Sequence, residues 1–240
     1  MATRTQFGLS QLDAAPLHEK VYREIVRALM SGEFEPGQKL TSRKLAQELG
    51  TSDMPVRSAL LRLQALRALR PLPNGSMEVP LMTSAAFVNL MDARTVLEGA
   101  AAERAAGTIN GNNLRTIRRN CAERMNAIEV GDIGAYLRAN YDFKFAIYRH
   151  CGNEEMIFLI ETLWMQVGPF LRNMADWFKG DLSELMAVDH HAEALAALEA
   201  KDGPRAREAI EKDIREGEMY LLKSARFHDS PAEPTARRAS

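Results

Sequence analysis

The stretch Pro36–Ala59, PGQKLTSRKLAQELGTSDMPVRSA, decides the fold because it reads as two short helices joined by a tight turn. Leu45, Ala46 and Leu49 form one apolar stripe, Gly50 stops the first helix, and Ser52 is placed to cap the second. The second helix carries its own stripe, Val56, Ala59, Leu60, Leu63 and Leu66. Arg43, Lys44, Arg57 and Arg62 are then left on outward faces. Units of this shape lay their second helix in a groove of duplex DNA.

Working outward, Leu17, Val21, Ile25, Ala28 and Leu29 share one face of an upstream helix that Ser31 and Gly32 close. Downstream, PLPNGSMEVP at Pro71–Pro80 reads as a hairpin, with Asn74-Gly75 the strongest two-residue turn signal in the chain. Three helices and a hairpin make a winged helix-turn-helix over residues 17–80, after an N-terminal arm, residues 1–16. The wing tip, Asn74, Gly75 and Ser76, is either a groove or phosphate contact or a solvated turn. Charge divides in the same place: residues 1–80 hold 11 Lys and Arg against 8 Asp and Glu, and residues 81–240 hold 20 against 24. The first part, at +3, attracts an acidic partner, although the whole chain is at −1.

Beyond Thr83 strand signals stop, and periodicity gives six helical segments, about 84–106, 111–130, 133–151, 154–179 with a kink at Pro169, 182–200 and 204–226. The fold class is therefore mainly α: a winged helix-turn-helix followed by an all-α bundle over residues 84–228. Residues 229–240, rich in proline and small polar residues, read as a disordered tail. No signal peptide is recognised at the start, and the most apolar segment, Met156–Val167, is broken by Glu161, Thr162 and Gln166 and is too short to span a membrane. A cytoplasmic protein with no membrane partner is expected. Cys121 and Cys151 lack metal spacing or a CxxC pair and read as reduced core residues.

In the bundle the informative residues are polar ones that fall where an apolar stripe should continue, since a buried polar group needs a partner or a ligand. Arg94 shares a face with Phe87, Leu90, Met91, Leu97 and Ala101. Asn140 and Lys144, four apart, share one with Tyr136, Leu137, Phe143 and Ile147. His191 precedes Leu195 and Leu198, and Asp213 sits among Ala206, Ile210 and Gly217. If the helices surround one cavity, Arg94, Asn140, Lys144, His191 and Asp213 line it, and their formal charge of +1 suits a small organic acid. The other reading is a ligand-free network in which Lys144 pairs with Asp213.

Taken together, the two parts resemble the GntR family of bacterial transcription regulators, in the FadR-like branch whose helical effector domain is called FCD. The resemblance covers roughly residues 17–226. It rests on Pro36, Gly37, Leu40, Leu45, Ala46, Leu49, Gly50, Ser52, Pro55, Val56, Arg57, Ala59, Leu60 and Leu63. In the second part it rests on Arg94 with Glu98, Phe143 with Gly152 and Asn153, and His191 with Asp202 and Ala206. It implies a homodimer on a palindromic double-stranded operator, with a small metabolite, often a carboxylic acid, shifting the affinity. It also implies DNA contacts from Arg43 and Lys44, from Ser52, Asp53, Met54 and Arg57, and from the wing at Asn74 and Gly75.

Two positions of the reading helix depart from the family pattern: Asp53 stands where arginine is common, and Ser58 where glutamate is. A further departure concerns metal. Many FCD domains hold a divalent cation with one Asp or Asn and three histidines, at positions that resemble 140, 144, 191 and 213 here. The residues present are Asn140, Lys144, His191 and Asp213, and a lysine ammonium repels a divalent ion. No tightly bound metal and no cofactor is expected, with Lys144 in the cation's electrostatic role and, with Arg94, receiving the effector's carboxylate. Two rival classes are a helical-bundle metalloenzyme using His191 with Asp189 and Glu193, and a helical adaptor that does not bind DNA. The chain has no phosphate loop, nucleophile elbow or HExxH, and His190 cannot share a helical face with His191.

Overall fold

The computed structural model describes residues 16–173, 189–225 and 227–229. The first helix, α1 (Pro16–Met30), buries Val21, Ile25, Ala28 and Leu29, whereas Leu17, expected on the same face, is half exposed at the helix start. Two backbone bonds, Gly32 N to Leu29 O and Glu33 N to Ala28 O, close it around Gly32 at φ +69°. Next come β1 (Lys39–Leu40), α2 (Ser42–Glu48) and α3 (Asp53–Ala65). Thr41 caps α2 by accepting from Lys44 N, and Gly50, at φ +61°, ends it in the same manner as α1. Ser52 stands at the N-cap of α3, but its side chain makes no capping bond, against expectation.

The wing departs from its sequence reading in two respects. β2 (Arg70–Pro71) and β3 (Met77–Glu78) are antiparallel as expected, but a third strand, β1, pairs on the other side of β3, giving the order β1-β3-β2. Two residues are too few to leave a periodic signal, so β1 was not foreseen. The turn is also longer than a two-residue Asn-Gly loop. Leu72 O accepts from Gly75 N, Asn74 stays at negative φ, and Gly75 alone is left-handed at φ +80°. Asn74 Oδ1 accepts from Ser76 N at 3.1 Å and Ser76 Oγ at 2.7 Å, which fixes the tip.

The second part packs α4 (Ser84–Ala106), α5 (Gly111–Glu129), α6 (Ile133–Tyr148), α7 (Glu154–Leu171), α8 (His190–Glu199) and α9 (Gly203–Ser224). α4 lies along α9, α5 along α6, and α7 against both α4 and α1. Pro169 lies inside α7. The sequence segments 154–179 and 182–200 run partly through 174–188, outside the described residues; α8 is described from His190. Among the described residues no helix is long and apolar enough to cross a membrane.

A close contact between α7 and α1 fastens the first part to the second, and the end of the chain is pinned within the second part. Gly168 of α7 presses on the end of α1 so closely that a Cβ there would lie 2.1 Å from Leu29 O and 2.9 Å from Met30 Cα. At the other end of the chain, Phe227 packs on Phe170 and Phe87, and Asp229 accepts from Ser84 N at 3.0 Å and Ser84 Oγ at 2.7 Å. Asp229, expected to open a disordered tail, is thus held at the start of α4. The rest of that tail and the N-terminal arm, apart from Pro16, lie outside the described residues.

Candidate functional site

The first site is the face shared by α2, α3 and the wing. Arg43, Asp53, Arg57, Asn74 and Gly75, scattered through the sequence, line one open groove of about 660 Å³. Lys44, Ser52 and Met54 are exposed beside it, Met54 at 74%. The Arg57 side chain is 72% exposed, and its one ion-pair contact among the described residues is a loose 3.9 Å approach to Asp53, one turn earlier on α3. Such a pair holds an arginine weakly in water. Asp53 at the amino end of α3 is well placed against the helix dipole, and its buried Oδ1 has no hydrogen-bond partner among the described residues. Arg62 is the exception to the outward set. Its guanidinium stacks 3.6 Å above the Tyr22 ring and pairs with Glu19 at 3.2 Å, so it joins α3 to α1 instead of facing the groove.

The second site is a partly open cavity among α4, α5, α6, α7, α8 and α9, with about 50 Å³ open to water-sized molecules. Arg94, Asn140, Lys144, His191 and Asp213 all line it. Arg124 of α5, Tyr136 of α6 and Glu216 of α9 line it too, and were not among the candidates. Lys144 Nζ lies 2.5 Å from Asp213 Oδ2, and the Lys144 side chain is only 2% exposed. Arg94 Nε bonds Glu98 Oε1 at 2.7 Å, Tyr148 donates to Glu98 Oε2 at 2.7 Å, and the Arg94 guanidinium lies over the Trp164 ring. Arg124 Nη2 pairs with Asp189, which also caps α8 by accepting from Ala192 N.

These pairs correct the sequence-based charge count. The +1 surplus came from Arg94, Lys144 and Asp213 alone. In the fold each of Arg94, Arg124 and Lys144 meets its own carboxylate, Glu98, Asp189 and Asp213, so the three cations are balanced. Neither Arg94 nor Lys144 is an idle cation.

His191 shows how burial sets protonation here. Burial pushes its imidazole down to about 3, with Asp213 opposing and Arg124 and Lys144 adding to the depression. The ring is neutral at pH 7 and has one N–H. Two acceptor oxygens face it, Asp213 Oδ1 at 3.2 Å from Nδ1 and Asn140 Oδ1 at 2.8 Å from Nε2. A carboxylate can only accept, so Nδ1 carries the proton, and the Asn140 amide must turn its NH₂ toward Nε2. Burial works against the ionised form of Asp213, but Lys144 and His191 outweigh it and hold the group below the usual carboxylate range.

The four positions that resemble a metal site do not suit a divalent ion. Asp213 already carries the Lys144 ammonium on one oxygen and the His191 N–H on the other. A cation there would need to displace a buried ammonium of like sign. Among the described residues no group of three or more His, Cys, Asp or Glu side chains could hold a metal ion.

Comparison with known proteins assigns each of the two parts to a known domain family. The model of the bacterial regulatory proteins of the gntR family matches residues 17–79. The FCD domain model matches residues 89–216. The chain is similar to the HTH-type transcriptional regulator McbR of Escherichia coli K12, 28% identical over 215 residues, which cover 89% of this chain and 96% of that protein. It is 23% identical over 216 residues to the HTH-type transcriptional repressor RspR of the same organism, covering 90% of this chain and 92% of that one. The solved structure of E. coli McbR/YncC matches with a TM-score of 0.82 at 27% identity, over 88% of this chain and 99% of that chain. A GntR regulator from Rhodococcus sp. RHA1 shares the fold, with a TM-score of 0.70 at 20% identity, over 88% of this chain and 100% of that chain.

Proposed function

Because the chain belongs to the gntR family of bacterial regulatory proteins and carries its FCD domain, it is a DNA-binding transcriptional regulator and not an enzyme, and we propose that it works as a cytoplasmic homodimer on a palindromic operator, its affinity set by a small metabolite. The observation that carries the DNA-contact assignment is the groove that gathers Arg43, Arg57, Asn74 and Gly75 on one exposed face. α3 enters the major groove and presents Arg57 to a guanine edge or a phosphate, while Met54 offers an apolar contact to a thymine methyl. Asp53 accepts from a cytosine amine or holds Arg57 in line. Ser52, Arg43 and Lys44 take phosphates, and the wing tip at Asn74 and Gly75 follows the backbone alongside.

The effector occupies the cavity lined by Arg94, Asn140, Lys144, His191 and Asp213, and no divalent metal or cofactor takes part. The resemblance implies an organic acid, which must break one of three ion pairs to find an unengaged cation. Ligand and operator are linked because each favours one arrangement of the winged domains in the dimer, so each changes the other's affinity by the same factor. The joint at Gly168 and Leu29 supports this reading, since α7 reaches from the reader to Leu171 at the cavity wall.

A gel shift on promoter DNA flanking the protein's own coding region tests the assignment. Sequence-specific binding that weakens steeply with salt is the expected result; binding indifferent to sequence would sink it. Stoichiometric zinc or nickel in the purified protein, measured by elemental analysis, would overturn the metal-free reading.

A further inference from the structure

The cavity's donors and acceptors specify a ligand more narrowly than its outline does. Arg94 is engaged through Nε and Nη2 with Glu98, and Nη1 rests on Met91 Sδ. Lys144 is engaged with Asp213. Arg124 differs. Its side chain is 2% exposed, Nη2 holds Asp189, and Nε is buried with no hydrogen-bond partner among the described residues. An N–H of a buried guanidinium left without an acceptor is a marker of a missing partner.

The charge around that N–H leaves no surplus cation, with three cations against Glu98, Asp189 and Asp213, and Glu216, 3.2 Å from His190 Nε2, adds a further carboxylate on the cavity wall. A further buried anion would be an uncompensated charge. An uncharged oxygen acceptor satisfies Nε at no such cost, and the carboxylates of Asp213 and Glu216 on the wall can accept from a hydroxyl of the same molecule.

We propose that the cavity binds a small neutral molecule bearing hydroxyl or carbonyl groups, anchored by an oxygen that accepts from Arg124 Nε. This rests on the reading that the cavity is the effector site and replaces the acid expected there with an uncharged ligand. Because Asp189 both pairs with Arg124 and caps α8, the anchor also ties the ligand to the helix that carries His191.

Matched probes on one carbon skeleton decide between the two charges: glycerol against glycerate, erythritol against erythronate, lactamide against lactate. With full-length protein followed by isothermal titration calorimetry and thermal shift, at least one neutral member is expected to bind at least about tenfold more tightly than its acid. If the acids bind more tightly, the neutral ligand is wrong and the effector cavity stands. If no probe binds, both fall, while the gel shift still judges DNA binding separately. Arg124→Lys keeps a cation for Asp189 and removes the Nε donor. It is expected to weaken the neutral probe about ten- to a hundredfold, with the ligand-free melting curve still cooperative. Unchanged affinity in that variant would overturn the anchor. Should Arg124→Lys fail to fold, Arg124→Met combined with Asp189→Asn, which removes the donor without leaving a carboxylate unpaired, takes its place under the same criterion.

Discussion

The reader and the bundle both concentrate arginine and lysine, and they treat them in opposite ways. On the reading face Arg43, Lys44 and Arg57 are exposed, and among the described residues Arg57 has no closer carboxylate than Asp53 at 3.9 Å. Inside the bundle Arg94, Arg124 and Lys144 are each at most 3% exposed, and each is matched to one carboxylate. A charge left in water is available to a partner brought from outside, whereas a buried one must be neutralised before the chain can fold around it. The difference separates a face whose cations are available to a polyanion, as the proposed DNA contact requires, from a chamber with no surplus charge to offer.

The comparison breaks most visibly at Glu98, which is fully buried beneath Arg94 and Tyr148. Glu98→Leu leaves a guanidinium unpaired in the interior, and a loss of about 3–5 kcal/mol is expected by urea unfolding. A loss below about 1 kcal/mol would mean that the buried pairs are not the bundle's electrostatic frame. Acid should act in the same direction. His191 is held down to about 3 from 6.5, so between those values the unfolded chain takes up a proton that the folded chain refuses, and stability falls as pH falls. From pH 7 to pH 5 that amounts to roughly 2 kcal/mol. Asp142, Glu161 and Glu218, raised by burial, have the opposite sign. The difference between wild type and His191→Asn therefore isolates the term, and parallel pH curves for the two proteins would refute it.

On the reading face the effects should fall on binding and spare stability. Arg57→Ala is expected to cost about 1–3 kcal/mol of operator affinity by fluorescence anisotropy. The same variant should unfold within about 0.5 kcal/mol of wild type. Equal damage to both quantities would place Arg57 in the architecture, as Arg62 is placed by its stacking on Tyr22.

How much of this was legible in the sequence follows from the same contrast. Exposed function sits beside strong local signals: the stripes of α2 and α3, Gly50 and the Asn74-Gly75 turn placed the reading face without tertiary information. The cavity depended on one rule, polar residues interrupting an apolar stripe, which found Arg94, Asn140, Lys144, His191 and Asp213. The same rule reaches Arg124, which continues the face of Leu114, Ile117, Cys121 and Ile128 on α5. The charge balance was not legible, because pairing Arg124 with Asp189 joins positions 65 apart in sequence. Nor was β1, since two residues acquire strand character only from the partner they meet.

The smallest expected effect tests whether the two regions share a backbone compromise unrelated to charge. α3 and α8 each end on a long cationic residue in the left-handed region, Arg67 at φ +59° and Lys201 at φ +55°. In both, the next amide bonds back over the turn, Ala68 N to Leu63 O at 3.0 Å and Asp202 N to Ala197 O at 2.8 Å, the closure that glycine makes without strain. Arg67→Gly and Lys201→Gly should each raise stability by up to about 1 kcal/mol in denaturant titration. Arg67 lines a cavity with Pro80, Met82 and Leu90 near the linker, away from the groove of Arg43 and Arg57. Its removal should therefore leave operator affinity unchanged despite the lost cation. A drop in affinity with Arg67→Gly alone would extend the DNA-contacting surface to the end of α3 and redraw the boundary between the exposed, available charges and those used within the fold.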